Sequence, residues 1–170
     1  MLYVDGCDLE PRTPGTRVSA GLPAHRHIEN LVARYAELVD DGDFAGLGAL
    51  LGDASFVGSS GPVTGSDAIR TMFENTVIIY ADGTPRTRHV ITNIIVDVDD
   101  AAGTAAARSY FTVLQSVDGR PLEIIAAGRY RDRFLLRDKE WRFAERRVQV
   151  EFAGDVSRHL RSHQITRHDH

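Results

Sequence analysis

The sequence has few residues that could crosslink the chain or anchor it in a membrane. Only Cys7 is a cysteine, so the chain forms no internal disulfide and offers no cysteine-rich metal site. No apolar run approaches the ~18 to 20 residues of a transmembrane helix, and the first residues lack the order of a signal peptide. The net charge of −4 argues against a dedicated nucleic-acid binder. We therefore expect a cytoplasmic protein with no nucleic-acid and no membrane partner.

The 170 residues suffice for a single domain. A chain of this length buries roughly 70% of the surface that its unfolded form exposes, so its core needs no disulfide or metal. Residues 1–22 carry prolines and glycines without periodicity, which predicts a flexible arm. We expect the domain at 23–160 and a tail at 161–170, with a terminal helix at 155–165. His159, His163, His168 and His170 are expected to be solvated.

Helical periodicity begins after Pro23, which suits the first turn of a helix. Gly42 is predicted to end this helix, and Asp43 to cap a second one over 44–51. A strand near 55–57 precedes a third helix, capped by Ser66. The apolar residues expected on the buried sides are Ile28, Leu31, Val32, Tyr35, Leu38 and Val39 in the first helix, and Ile69, Met72, Phe73, Val77 and Tyr80 in the third.

Four long β segments follow, at about 87–97, 104–117, 122–136 and 141–152. Their connectors are short and polar, which allows only antiparallel hairpins. Helices followed by a meander predict an α+β fold with the helices on one face of a curved sheet.

The first of these strands alternates between two kinds of face. Even positions from Val90 to Val98 are β-branched and suit packing, whereas odd positions from His89 to Asp97 mix polar and apolar groups, as a ligand cavity would. Farther on, Arg129, Arg131 and Arg133 share one strand face, which is either solvated or an anion-binding stripe. The solvated alternative is favoured because Asp132, Glu145 and Glu151 dilute the positive field.

Three residues are candidates for chemistry. Asp40 lies at the end of the first helix, where the helix dipole disfavours acids, and it is either an exposed acid or a functional one. Tyr35 lies about 140° around the helix from Asp40 at 100° per residue, and it is either a core aromatic or a pocket residue. His89 is either structural or catalytic. No nucleotide, metal or nucleophile motif is present.

Several stretches together resemble a known family. They are Arg34-Tyr35 through Asp40 to Asp43-Phe44, Thr87-Arg88-His89 to Asn93, Ala107-Arg108 to Tyr110-Phe111, Gly128-Arg129-Tyr130, and Trp141 to Glu145-Arg146-Arg147. Over roughly residues 24–160 the chain resembles the SnoaL-like, nuclear transport factor 2-like proteins, in particular the branch of scytalone dehydratase and bile acid 7α-dehydratase. The resemblance implies a cone-shaped barrel of a curved, mostly antiparallel sheet, with three N-terminal helices on its concave face.

The resemblance also implies an active site. Tyr35, Asp40 and His89 match the tyrosine, aspartate and histidine of the bile acid enzyme, and Tyr130 matches a pocket position of scytalone dehydratase. Asn93, Phe73 and Phe111 are further expected substrate contacts. The chain departs from scytalone dehydratase at Val39, where that enzyme has a tyrosine, and has no evident second pocket histidine in 109–115.

These residue types predict a hydro-lyase or isomerase that needs no cofactor and no metal. Histidine can take a proton and return it, an aspartate can orient the histidine, and a tyrosine can polarise a carbonyl. The expected partner is a small hydrophobic cyclic molecule. The same fold also serves polyketide cyclases and ligand-binding or assembly modules, so these alternatives stay open. Family members form dimers or trimers, which implies a homo-oligomer.

Overall fold

Three helices and a six-stranded sheet make up the computed structural model, which describes residues 22–161. Most of the predicted arm (1–22) and tail (161–170) therefore lies outside the described residues. In chain order the elements are α1 (Ala24–Asp40), α2 (Phe44–Leu51), β1 (Ser55–Gly58), β2 (Gly61–Thr64), α3 (Ser66–Thr76), β3 (Thr87–Asp99), β4 (Thr104–Gln115), β5 (Glu123–Arg137) and β6 (Glu140–Ala153).

The sheet has the strand order β2-β1-β6-β5-β4-β3. All neighbours are antiparallel except β1 and β6, which run parallel. Helix α1 packs against β3 and β6, and α2 packs against α3 and β6. The predicted α+β cone with helices on its concave face is confirmed. In the described part of the chain no helix is both long and apolar enough to cross a membrane.

Helix α1 buries the apolar face that its periodicity predicts, and its last residue, Asp40, is buried as well. Gly42 ends the helix with φ +71°, and a Cβ there would lie 2.6 Å from the carbonyl oxygen of Gly83. Only glycine therefore suits this position. Asp43 caps α2 as predicted, because its Oδ1 accepts a hydrogen bond from the backbone N–H of Gly46 at 2.8 Å.

The prediction for the end of α3 was wrong in part. The helix ends at Thr76, and Val77 is extended and forms an isolated β-bridge with Leu160. Tyr80 also lies beyond the helix, and its hydroxyl donates to the carbonyl oxygen of Arg158. In the described part of 155–165 the backbone forms a turn and this bridge instead of the expected helix.

Strand β3 does not keep the single alternation predicted from its sequence. A β-bulge at Asn93 and Ile94 interrupts the register with β4, and Asn93 has a left-handed φ of 53°. The bulge adds one residue, so the inward face changes from odd to even positions. Thr87, His89 and Ile91 turn inward before it, and Ile94, Val96 and Val98 turn inward after it. Val90 and Thr92 are therefore exposed and do not belong to a packing face.

The arginines of β5 lie on the outer, exposed face of the sheet. Arg129 pairs with Glu151 at 2.9 Å and its guanidinium lies over the ring of Tyr110. This contact supports the solvated alternative. Asp132, expected to dilute the field of this face, instead points inward and is 2% exposed.

Candidate active site

The carboxylate of Asp40 joins the end of α1 to the beginning of β3. Its Oδ1 accepts a hydrogen bond from the Thr87 hydroxyl at 2.7 Å and lies 2.6 Å from Nδ1 of His89. Its Oδ2 accepts from the backbone N–H of His89 at 2.7 Å. The side chains of Asp40 and His89 are only 7% and 8% exposed. These contacts explain why an acid is tolerated at a helix C-terminus, where the dipole disfavours it.

Asp40 determines which nitrogen of His89 carries the proton. Burial raises the pKa of Asp40, but the hydrogen bonds and charge of His89, together with the Thr87 hydroxyl, outweigh burial and hold it below its ordinary value. The ionised carboxylate only accepts hydrogen bonds, so Nδ1 of His89 must donate. In neutral His89 the lone pair is then on Nε2, which is the nitrogen left for a ligand.

A groove of about 410 Å³ lies along this pair, between α1 and the edge strand β3. Its wall combines apolar side chains with the two candidate catalytic residues and a few charged groups at the mouth. The lining residues are Ala33, Ala36, Glu37, Asp40, Asp41, Arg88, His89, Ile91 and Ile94. Such a lining suits a small, mainly hydrophobic molecule with one or two polar atoms.

A second polar group lies in the core, and we call it the Arg146 cluster: Tyr35, Tyr130, Asp132 and Arg146. The Arg146 guanidinium lies 3.9 Å from the ring centre of Tyr35 and 4.2 Å from that of Tyr130. It donates two hydrogen bonds to Asp132, at 2.9 and 2.7 Å. Burial lowers the pKa of Arg146, but the facing Asp132 outweighs this and raises it, so the guanidinium remains charged.

Tyr35 belongs to this cluster. It is not among the residues that line the groove. Burial raises the pKa of Tyr35 to about 12, against the opposing influence of Arg146. The phenol is therefore neutral at physiological pH. Among the predicted catalytic residues, the structure thus brings Asp40 and His89 together and places Tyr35 against Tyr130 instead, with ring centroids 5.8 Å apart.

The predicted substrate contacts lie in three different places. Phe111 stacks on Tyr130 at 4.5 Å, so both belong to the packing around the Arg146 cluster. Phe73 packs against Phe44 and Phe56, at 5.6 and 5.4 Å. Asn93 is exposed at the β3 bulge, next to Ile94 of the groove.

His159 was expected in a solvated tail, and that prediction was wrong. It is partly buried, and its Nδ1 is enclosed. Burial, the main cause, and the charge of His89 together lower the pKa of His159 to about 4, and Asp40 partly opposes them. His163, His168 and His170 lie outside the described residues.

The SnoaL-like domain family matches residues 20–147, which is most of the chain. The protein belongs to the SnoaL-like domain family. The match includes α1, β3 and β5, and so covers Asp40, His89 and Tyr130. None of the curated proteins matches the chain.

Solved structures share the fold of this SnoaL-like protein. Rv3472, a protein of unknown function from Mycobacterium tuberculosis, is 25% identical, with 75% of this chain and 76% of that chain covered and a TM-score of 0.62. A candidate scytalone dehydratase from Novosphingobium aromaticivorans is also 25% identical, with 77% and 86% covered and a TM-score of 0.60. ActVI-ORFA from Streptomyces coelicolor, at 19% identity, 75% and 96% coverage and a TM-score of 0.60, shares the fold alone.

Sequence reasoning missed two features of this SnoaL-like site. The pairing of Asp132 with Arg146 had a weak signal, because Asp132 alternates in phase with the inward residues Tyr130 and Phe134, where an acid needs a partner. His159 had none, because only the turn after β6 brings it back to the end of α3 and the residues that follow it.

Proposed function

We propose that this SnoaL-like protein is a cofactor-free dehydratase or isomerase acting on a small, hydrophobic cyclic substrate of steroid or polyketide type. The observation that carries the proposal is the Asp40–His89 hydrogen bond of 2.6 Å at the wall of an open groove. The apolar lining by Ala33, Ala36 and Ile91 supports a hydrophobic substrate. The likeness to a candidate scytalone dehydratase supports the reaction type.

The chemistry follows from the tautomer of His89. Its Nε2 lone pair takes the proton next to the substrate carbonyl, and the negative charge of Asp40 stabilises the imidazolium that forms. In a dehydratase the imidazolium then returns the proton to the leaving hydroxyl group, which departs as water. In an isomerase it returns the proton to another carbon. Tyr35 is neutral because burial raises its pKa to about 12, and it does not line the groove, so it is not the base in this proposal.

The alternatives differ in what they require of the site. A polyketide cyclase would use the same groove and the same histidine, so only substrate trials separate it from a dehydratase. A non-catalytic module predicts that Asp40 and His89 do not touch. It also predicts that side chains fill the core. The 2.6 Å contact favours an enzyme, whereas the packing of Phe111, Tyr130 and Arg146 in the core is the filling that the non-enzymatic alternative predicts. The enzyme proposal therefore places the substrate in the groove beside α1.

The test compares two histidines of this chain. Cyclic β-hydroxy ketones of steroid and polyketide type are supplied as substrates, and loss of water is followed by mass spectrometry and by enone absorbance. His89→Ala should lower turnover at least ~10²-fold, because the general acid and base is lost. His25→Ala, an exposed residue in the first turn of α1, should leave turnover unchanged.

Two results would contradict the proposal. One is full activity of His89→Ala on a substrate that the wild type converts. The other is binding of these ketones, seen as a rise in Tm, without conversion by the wild type. The second result would favour the ligand-binding module.

We also propose that the outer sheet face joins copies of this chain into a homo-oligomer. Val90, Thr112, Ala127 and Phe152 form one row across that face, and Val90 and Phe152 are 43% and 72% exposed. Exposed apolar groups in one row are typical of an interaction surface. Sedimentation should show an oligomer that Phe152→Glu dissociates; a wild-type monomer at high concentration would contradict this.

A further inference from the structure

The described lining of the groove contains few side chains that can donate a hydrogen bond. Its alanines and isoleucines have no polar side-chain atoms, and its ionised carboxylates only accept. His89 and Arg88 are therefore the two side-chain donors of this lining. His89 is the proposed base, so a second group is needed to stabilise the negative charge that forms on the substrate oxygen. Tyr35, the residue expected for that role, is not in the lining.

The hydrogen bonds of β3 place the guanidinium of Arg88 at the free edge of the sheet. The N–H of Ser116 donates to the carbonyl oxygen of Arg86 at 3.0 Å, which makes these two residues a hydrogen-bonded pair. Hydrogen-bonded and non-hydrogen-bonded pairs alternate along an antiparallel ladder. Thr87 therefore lies in a non-hydrogen-bonded pair with Gln115, and its carbonyl oxygen points away from β4. This oxygen accepts a hydrogen bond from Nη1 of Arg88 at 2.9 Å.

The candidate catalytic pair is bound to the same edge. The backbone N–H of His89, two residues after Thr87, also points away from β4 and donates to Oδ2 of Asp40 at 2.7 Å. In an extended strand, the carbonyl group of one residue and the N–H of the second residue after it are neighbours on one edge. The guanidinium of Arg88 and the carboxylate of Asp40 are thus bound to adjacent backbone groups.

The guanidinium of Arg88 has donors left for a bound molecule. A guanidinium stays charged in proteins and carries several N–H groups, of which the bond to Thr87 uses one. Glu37, which also lines the groove, pairs with Arg34 at 3.1 Å. Within residues 22–161 Arg88 forms no ion pair, although Asp41 lines the same groove. The two acids lie on the α1 wall, where they disfavour a permanently anionic ligand more than an oxygen that becomes charged only during the reaction.

On the basis of the function proposed above, we propose that Arg88 is a catalytic residue whose guanidinium donates hydrogen bonds to the substrate carbonyl oxygen and stabilises the negative charge that develops there. Arginine suits this role because it keeps its proton while the neighbouring base takes one. The hydrogen bond to the Thr87 carbonyl holds the guanidinium in place before the reaction begins, so little reorientation is needed.

The proposed step balances in protons and electrons. The Cα–H bond breaks, its proton moves to Nε2 of His89, and its electron pair forms the enolate, whose oxygen accepts N–H groups of Arg88. The enolate then re-forms the carbonyl group and expels the β-hydroxyl group, which leaves as water with the proton from His89. In an isomerase the proton returns to another carbon instead. Arg88 exchanges no proton, and the net charge of the site is constant because imidazolium and enolate form together.

The first test uses 2-naphthol, whose anion resembles a cyclic enolate, so that it needs no known substrate. Ultraviolet absorbance gives the ionisation state of the bound naphthol, and fluorescence titration gives its affinity. Arg88→Met removes the charge and should weaken binding of the naphtholate about tenfold or more, because hydrogen bonds to a charged group are lost. Arg88→Lys keeps the charge and should retain part of the affinity.

Two controls separate the contribution of the oxygen from that of the rings. 2-Methoxynaphthalene has the same rings without an ionisable oxygen, and Arg88→Met should bind it as the wild type does. Arg26→Met removes an exposed arginine in the first turn of α1 and should bind the naphtholate as the wild type does. Arg88 is itself exposed, so its variants should fold, which circular dichroism checks.

The second test uses a substrate that the wild type converts. Arg88→Met should lower kcat about 10²- to 10³-fold with little change in KM, as removal of one oxyanion donor does. Arg88→Lys should restore part of the lost turnover.

The role of Arg88 is overturned if the naphtholate binds Arg88→Met as it binds the wild type. It is also overturned if binding of 2-naphthoate depends on Arg88 and binding of the naphtholate does not, because the arginine would then recognise a carboxylate substituent. If His89→Ala is inactive while Arg88→Met is unaffected in both tests, the proposed function stands and only the role of Arg88 is wrong. If His89→Ala is fully active, the proposed function is wrong, and the naphtholate titration still decides whether Arg88 binds an oxyanion.

Discussion

Asp40→Asn should invert the tautomer of His89 while leaving the fold in place. The backbone N–H of His89 can only donate, and in the wild type it donates to Oδ2 of Asp40 at 2.7 Å. The carbonyl oxygen of the asparagine must therefore take the place of Oδ2. Its NH₂ group then replaces Oδ1, which faces Nδ1 of His89 at 2.6 Å and the Thr87 hydroxyl at 2.7 Å. The hydroxyl can rotate to accept. Nδ1 can accept only if the imidazole proton moves to Nε2.

The two expected losses have different sizes. Exchanging charge-assisted for neutral hydrogen bonds costs about 1 kcal/mol for each of two or three contacts, so the free energy of unfolding should fall by about 2 to 3 kcal/mol. A domain with about 5 to 15 kcal/mol of stability remains folded. Turnover should fall about 10⁴-fold, as in a triad with the wrong tautomer, which is about 5.4 kcal/mol of transition-state stabilisation. Loss of the Nε2 lone pair, and not unfolding, would therefore explain the lost activity.

The assay is ¹⁵N NMR of the imidazole nitrogens above the pH at which histidine titrates. The wild type should show the protonated nitrogen of neutral His89 at Nδ1, and Asp40→Asn should show it at Nε2. Thr87→Val is the matched control, because it removes one hydrogen bond to the carboxylate and leaves the tautomer unchanged. A protonated Nδ1 in Asp40→Asn would refute the reasoning, whatever the activity of the variant.

Three further predictions concern stability. Gly128→Ala should destabilise the protein by about 2 kcal/mol or more in urea unfolding, because its Cβ would collide with the carbonyl oxygen of Gln149. Gly58→Ala is the control and should cost far less, because its Cβ would meet only one atom, at 3.7 Å. Equal losses of stability in the two variants would contradict this prediction. Asp132→Ala should cost about 3 to 5 kcal/mol, because it leaves the buried guanidinium of Arg146 unpaired; a loss below 1 kcal/mol would show that the pair is not buried in solution. Because the pKa of Asp40 is lower in the folded than in the unfolded protein, its contribution to stability is fully present above the unfolded value and is lost as the pH falls through the folded one. The difference in unfolding free energy between the wild type and Asp40→Asn should therefore shrink on acidification. A difference that stays constant would show that folding does not lower the pKa of Asp40.

Local features of this chain were predictable because their causes lie within a few residues. The apolar spacing of α1, its end at Gly42, the Asp43 cap and the polar connectors of the meander all follow from backbone sterics, capping and side-chain periodicity. Recognising Asp40 and His89 as candidates was also possible, since an acid at a helix C-terminus is unfavourable unless something compensates for it.

The tertiary structure decided which candidates meet. Asp40 and His89 are 49 residues apart, and their contact exists because the end of α1 packs on the edge strand β3. Periodicity did not reveal the bulge at Asn93, since one extra residue reverses the inward face without changing the composition of the strand. Burial of His159 depends on the backbone hydrogen bonds that tie its segment to Thr76 and Ile78.

The sequence by itself therefore determined the α+β fold class and the residue types available for acid–base chemistry. Only the tertiary structure paired Asp40 with His89, assigned Tyr35 to the Arg146 cluster and buried Nδ1 of His159. The physical reason is the distance along the chain over which the deciding interactions act. Secondary structure follows from interactions between near neighbours, whereas a catalytic group depends on packing between segments that are far apart in the chain.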